Sequence, residues 1–159
     1  MTAEAWIQSK LTASTAVTDL LSSWKAGAPV VTYYMIFNGW VIPELSASSY
    51  KIKKADSDTT ALLTGGKLLP TVQFRTVKYY RETQIDGFLP HREASYSVNC
   101  RAYTQADAEA LALAVYNALN KQGDSQHNCL CLIEQVIPPM DEQDNFNARI
   151  TAKMKTTGA

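Results

Sequence analysis

The segment from Ser95 to Gly123 constrains the fold more than any other. Over Ser95–Tyr103, Tyr96, Val98, Cys100 and Ala102 alternate with Ser97, Asn99, Arg101 and Tyr103. This period-two pattern belongs to a strand with one face on a core. The period then switches to that of a helix over residues 104–122. Thr104 with Asp107 three positions later acts in the manner of a capping box. Asp107 and Glu109 complement the positive helix end, Lys121 complements the negative end, and Gly123 supplies a stop. The helix stripe is Ala108, Leu111, Val115, Ala118 and Leu119, but Ala110, Leu113 and Ala114 widen it beyond what one sheet face needs. Either a second layer or a neighbouring subunit covers the excess.

Around this unit the pattern predicts further elements. Residues 3–25 read as helix through Ile7, Leu11, Val17, Leu21 and Trp24, with a second start near Thr15 and an end at Gly27 and Pro29. Asn38-Gly39 between Val30–Phe37 and Trp40–Ile42 predicts a hairpin, since a type I′ turn takes positive φ at both central positions. A short strand is expected at Tyr50–Lys53 within an otherwise irregular 46–66. Thr71–Glu82 alternates as a long strand, Ile85–Arg92 reads as loop, Asn128–Ile137 as an apolar strand, Pro138–Asp144 as loop, and Asn145–Lys155 as a closing strand. The 159 residues therefore predict one α+β domain over 1–159. A mainly antiparallel sheet carries the N-terminal helix and the long helix on one face, and a hairpin and loop are inserted at about 28–68.

Charge weighs against several classes. Fifteen Lys and Arg balance fifteen Asp and Glu, which removes the positive excess that binders of nucleic acid or anionic membranes need. Residues 26–43 hold no charge, but Pro29, Thr32, Asn38, Gly39 and Pro43 interrupt them, leaving strand length rather than the ~20 residues of a membrane span. The start, Met-Thr-Ala-Glu-Ala-Trp, has no signal-peptide pattern, and Cys100, Cys129 and Cys131 have no framework spacing. A reducing compartment without disulfides is expected. The charges are also unevenly spread. Residues 70–103 hold five cations against three acids, a local +2, and residues 104–159 hold four against seven, a local −3. Separated signs favour association through complementary patches.

Chemistry-bearing patterns are sparse. His91 and His127 sit beside turn residues without a ligand-spaced partner, and Cys129-Leu-Cys131 lacks the second pair of a zinc site. Gly65-Gly66-Lys67 lacks the earlier Gly and following Ser/Thr of a phosphate loop. The acidic loop Asp141, Glu142 and Asp144 does not have calcium-loop spacing. The reading is no catalytic residue, no metal and no cofactor. The basic concentrations are Lys51, Lys53 and Lys54, then Arg75, Lys78 and Arg81.

The stretch Ser95–Leu119, with Val98-Asn99-Cys100-Arg101-Ala102 running directly into an Ala/Leu-rich helix, resembles the small tail terminator or tail completion proteins of tailed phages. Ala16–Thr18, the Pro-led strand Pro70–Tyr80 and the closing strand Phe146–Lys155 fit the same frame, while Val30–Gly66 is longer than the family's connector. The resemblance implies a non-enzymatic virion protein of the tail or neck, assembled in the host cytoplasm. It forms a ring, usually a hexamer, that caps the head-proximal end of the tail tube and offers a head-attachment surface. Implied partners are further copies of itself, the tail tube protein, a head-completion or neck protein, and genomic DNA passing through the lumen without sequence-specific binding; no membrane is involved. Candidate subunit or tube interface residues are Trp40, Tyr50, Arg75, Lys78, Arg81, Arg101 and Leu113, and candidate pore loops are 84–92 and 46–64.

Three other readings stay open. One is another neck or minor tail component, such as a head-closure or tube-like protein. Another is a small enzyme or ligand-binding domain with Cys100 or His91 in a pocket. The last is a nucleic-acid module using Tyr50, Lys51, Lys53 and Lys54.

Overall fold

Alternating segments of the second half pair into the frame of the molecule. The computed structural model describes residues 3–21, 23–26, 28–29, 31–39, 49–53, 60–64, 69–81, 91–124, 129–142 and 145–157. The elements in order are α1 (Ala3–Ala13), α2 (Thr15–Thr18), β1 (Ser23–Ala26), β2 (Val31–Tyr34), β3 (Ile36–Asn38), β4 (Ser49–Lys53), β5 (Thr60–Thr64), β6 (Thr71–Arg81), β7 (His91–Ala102), α3 (Gln105–Leu119), β8 (Gly123–Asp124), β9 (Cys129–Glu142) and β10 (Asn145–Thr157). The main sheet has six strands in the order β3-β6-β7-β10-β9-β8. Its pairs are antiparallel except β3 with β6, which is parallel. The mainly antiparallel sheet with helices is therefore as the pattern predicts.

The core lies on one face of this sheet. Val72 and Phe74 of β6, Tyr96, Val98 and Cys100 of β7, and Ala148, Ile150, Ala152 and Met154 of β10 are buried there with Leu111, Val115 and Leu119 of α3 and Trp6, Ile7 and Leu11 of α1. Alanines at 148 and 152 keep the sheet surface low enough for helices to seat closely. Thr104 caps α3 as expected, its hydroxyl accepting from Asp107 N at 3.1 Å. Ala112 and Ala114 are buried as well, because α1 and α2 pack on α3 and form the second layer that the wide stripe requires; Leu113 stays exposed. Glu4 of α1 reaches the sheet, where its carboxylate accepts from Thr76 Oγ1 and Tyr96 OH, both at 3.1 Å.

Five expectations are corrected. The second start expected near Thr15 is present, Ser14 capping a one-turn α2 through a hydroxyl that accepts from Val17 N, but the helix does not run on to residue 25: Ser23–Ala26 is strand, paired antiparallel with Val31–Tyr34. The arm read as one strand over Val30–Phe37 is divided, Val31–Tyr34 pairing with β1. Ile36–Asn38 instead joins the main sheet beside Val72–Phe74, and Gly39 N donates to Phe74 O at 2.8 Å. Gly39 has φ +100, but Asn38 does not share the left-handed conformation that a type I′ turn demands. Trp40–Ile42 lie outside the described residues. The irregular 46–66 contains a second strand, β5, paired with β4 in a separate two-stranded sheet. The expected loop at 138–144 is strand up to Glu142, because an edge strand loses no ladder bond when a Pro nitrogen faces outward. The end of α3 also differs: Asn120 is the cap, Lys121 takes φ 59, and Gly123 opens β8. A Cβ on Gly123 would lie 2.9 Å from Cys129 O, so glycine there permits the β8–β9 approach.

Candidate functional site

The sheet order places two strands of opposite charge on opposite sides. β6 carries Arg75, Lys78 and Arg81 and no acid, and only its residues 72–74 lie beside β3. β9 lies across β7 and β10 from it. Residues 122–148 hold five acids, Asp124, Glu134, Asp141, Glu142 and Asp144, and no Lys or Arg. Both strands depart from regular pairing. In β6 the register shifts between Thr76 and Lys78, so that Arg75 pairs with Ser97 and Lys78 with Ser95. In β9 shifts occur at Glu134 and around Pro138-Pro139.

Among the described residues, the outer edge of β9 is occupied only near its start. Cys131 N donates to Gln122 O at 2.8 Å and Ile133 N to Asn120 Oδ1 at 3.1 Å. Asn120 is held for this by Tyr116 OH, which accepts from its Nδ2 at 2.9 Å. Beyond Ile133, no strand among the described residues pairs with that edge. Bulges and prolines are the features by which edge strands resist uncontrolled pairing. The same strand exposes apolar side chains, Val136 at 44% and Met140 at 62%, and on β6 Val77 is 60% exposed.

The sheet face away from the helices carries a polar network. Gln73, Asn99 and Asn147 are buried there. Asn147 Nδ2 donates to Asn99 Oδ1 at 3.4 Å and to Glu142 Oε1 at 3.1 Å, and Arg149 Nε donates to Asn99 Oδ1 at 3.4 Å. Arg101 lies 3.7 Å from Glu142. On β10, Lys153 bridges Glu93 at 3.2 Å and Glu134 at 3.5 Å, and Lys155 lies 3.4 Å from Glu93. Sequence reasoning reads Asn99 only as outward-facing; its burial follows from the register that brings three strands' amides together.

The candidate interface residues fall in separate places. Arg75 is exposed on β6, which also holds Lys78 and Arg81. Arg101 is on β7 at the other end, opposite Thr71, with its side chain largely covered and engaged by Glu142. Leu113 is exposed on α3, and Tyr50 lies on β4. Trp40 and the loop 84–90 lie outside the described residues. The β9 rim, with Glu134, Val136, Met140 and Asp141, is what the sequence reading missed as a surface; the signal for it is the absence of any cation between Lys121 and Arg149.

Cys100 is fully buried in the core, where loss of water pushes its thiol up to about 12. Cys131 is pushed up to about 12 by the same burial, with the neighbouring Cys129 adding to it. All three cysteines are free thiols packed as small apolar residues. His91 begins β7 in register with Thr157. Among the described residues no group of three or more His, Cys, Asp and Glu side chains is placed to hold a metal ion. Nor is any described helix long and apolar enough to cross a membrane.

No protein-family model matches the chain, and no curated protein matches it. Among solved structures, a chain from the virion of a native gene transfer agent particle matches with a TM-score of 0.56 at 13% identity, covering 98% of this chain and 95% of that one. The likeness is one of fold, spanning essentially both chains.

Proposed function

We propose that this chain is a structural protein of a tailed-phage-like particle, and that it works as a tail terminator. In this role it forms a ring on the head-proximal end of the tail tube, ends tube growth and presents the surface to which the head side attaches. The observation that carries the reading is the near full-length likeness in fold to a chain of a gene transfer agent virion. The strand-to-helix pattern of Ser95–Leu119, read independently from the sequence, supports the same class.

The physical demands of the role agree with the surfaces described. A terminator grips the last tube ring with one surface and offers no surface for another tube subunit, so its work is fit and exclusion rather than bond chemistry. An edge strand interrupted by two bulges and Pro138-Pro139 suits a component at which pairing must stop. Balanced charge suits a lumen through which DNA slides without adhering. The partners under this reading are further copies of the chain, the tail tube protein and a neck or head-completion protein.

Electron microscopy of the purified protein mixed with growing tail tubes tests the proposal. Closed rings alone, and tubes blunt-capped at one end that no longer elongate, are the expected result. Open-ended stacking would assign the chain to the tube, binding to heads without binding to tubes would assign it to the head side of the neck, and solitary particles without affinity for either would overturn the reading.

A further inference from the structure

We infer that the outer side of α3 in one copy docks on the helix-free face of the sheet in the next, closing the ring head to tail. The inference deepens the ring reading and rests on it. α3 presents a stripe to solvent: Ala106, Glu109, Ala110, Leu113 and Asn117 are exposed and fall on one side of the helix. Leu113 is 62% exposed, and the alanines beside it leave room for close approach. Residues 102–120 contain two acids, Asp107 and Glu109, and no Lys or Arg. Neither acid has an ion-pair partner among the described residues.

Strand register builds the receiving surface. Arg149 of β10 stands opposite Ile137 of β9 and Asn99 of β7, and Asn147 stands opposite Met140. Side chains paired in this way project to the same side, so Arg149, Ile137 and Met140 form one patch on the face away from the helices. Met140 is exposed and Ile137 half-buried. Arg149 is exposed too, its Nε held by Asn99 Oδ1, which Asn147 Nδ2 fixes in turn. No carboxylate among the described residues engages its terminal nitrogens. A positioned cation beside apolar side chains thus complements a helix stripe with one acid and one exposed leucine.

Position selects the occupant. α3 packs on the opposite face of the sheet from this patch, so the stripe and the patch face opposite ways and one chain cannot bring its own together. A twofold contact of α3 with α3 would leave Glu109 without a cation, since the helix has none. A helix-on-sheet contact between copies is heterologous and repeats until it closes, which is the requirement for a ring.

Cross-linking of the full chain reads the contact directly. Leu113→Cys with Met140→Cys is treated with a short bifunctional maleimide, the three native cysteines being buried. Covalent oligomers up to the ring size are expected from the double variant and none from either single one. A covalent dimer from Leu113→Cys alone, or rings of the double variant that do not cross-link, would overturn the inference. In sedimentation, Glu109→Lys weakens association about fivefold, and adding Arg149→Glu to the same chain restores it, because the pair is then reversed at every contact. Circular dichroism establishes folding of each variant. Should Arg149→Glu unfold the chain, Leu113→Asp takes its place and weakens association about tenfold, since it sets a charge in the apolar part of the contact. Association unchanged by a folded Glu109→Lys or Leu113→Asp, or no recovery in a folded charge-reversed chain, would overturn the inference while leaving the ring reading intact. A chain that is solitary at every concentration before any substitution would overturn both.

Discussion

Leu111 and Leu113 sit two residues apart on the same helix, one 0% and the other 62% exposed. Truncating each to alanine separates burial from composition, because the two changes remove the same atoms. Leu111 is packed between α3 and the sheet, so Leu111→Ala loses its transfer free energy and leaves a cavity, costing about 2–5 kcal/mol. For a chain of this length, about 3 kcal/mol lowers the midpoint of thermal unfolding by roughly 6–12 °C. Leu113 keeps well over half of its surface in water, so truncation forfeits about a third of the ~2 kcal/mol that full burial is worth. Alanine's better helix propensity offsets a few tenths of that, leaving a change of about 0.5 kcal/mol or less. Urea unfolding followed by helical circular dichroism, at protein concentrations low enough that subunit association adds nothing, reads both values. Equal losses at the two positions would refute the packing of α3 and with it the orientation of the sheet's core face.

Three further outcomes are expected. Gly123→Ala drives a Cβ to 2.9 Å from Cys129 O and lowers stability by about 1–3 kcal/mol in the same unfolding assay; an unchanged midpoint would contradict the close β8–β9 approach. Cys100 and Cys131 react with a thiol reagent at pH 8 only after unfolding. Because their folded pKa near 12 lies above the ordinary 9.0, stability is intact below about pH 9 and declines as the pH rises toward 12, and native reactivity at pH 8 would contradict their burial. Tyr96→Phe removes one of the two hydroxyls donating to Glu4 and costs about 1–3 kcal/mol, charge-assisted bonds being stronger than neutral ones; no cost would detach α1 from this anchor.

What the sequence made legible was the part where local and global preferences agree. β7, α3 and β10 follow from clean periods and the Thr104 cap, and Tyr96, Val98, Cys100, Ile150 and Met154 are buried as their alternation demands. The strands Ser23–Ala26, Val31–Tyr34 and Ile36–Asn38 were misread because they are only three or four residues long, too short to establish a period. There the Asn38-Gly39 turn preference yields to a ladder bond from Gly39 N to Phe74 O. Pro138-Pro139 reads as loop by composition, yet pairing with β10 carries β9 past it. The cations of β6 are visible as a cluster in the sequence, as is the acid-only stretch after Lys121. Their placement on opposite sides of one sheet is not, because it depends on strand order, which a pattern of periods leaves undetermined. The Asn99–Asn147 contact likewise depends on the register of β7 against β10.

The proposal that this chain acts by fitting against copies of itself is tested most directly by native mass spectrometry of the purified protein over a wide concentration range at low salt. It predicts one discrete closed oligomer whose size does not grow with concentration. A mass that stays at one subunit throughout, or a ladder that lengthens without limit, would contradict it.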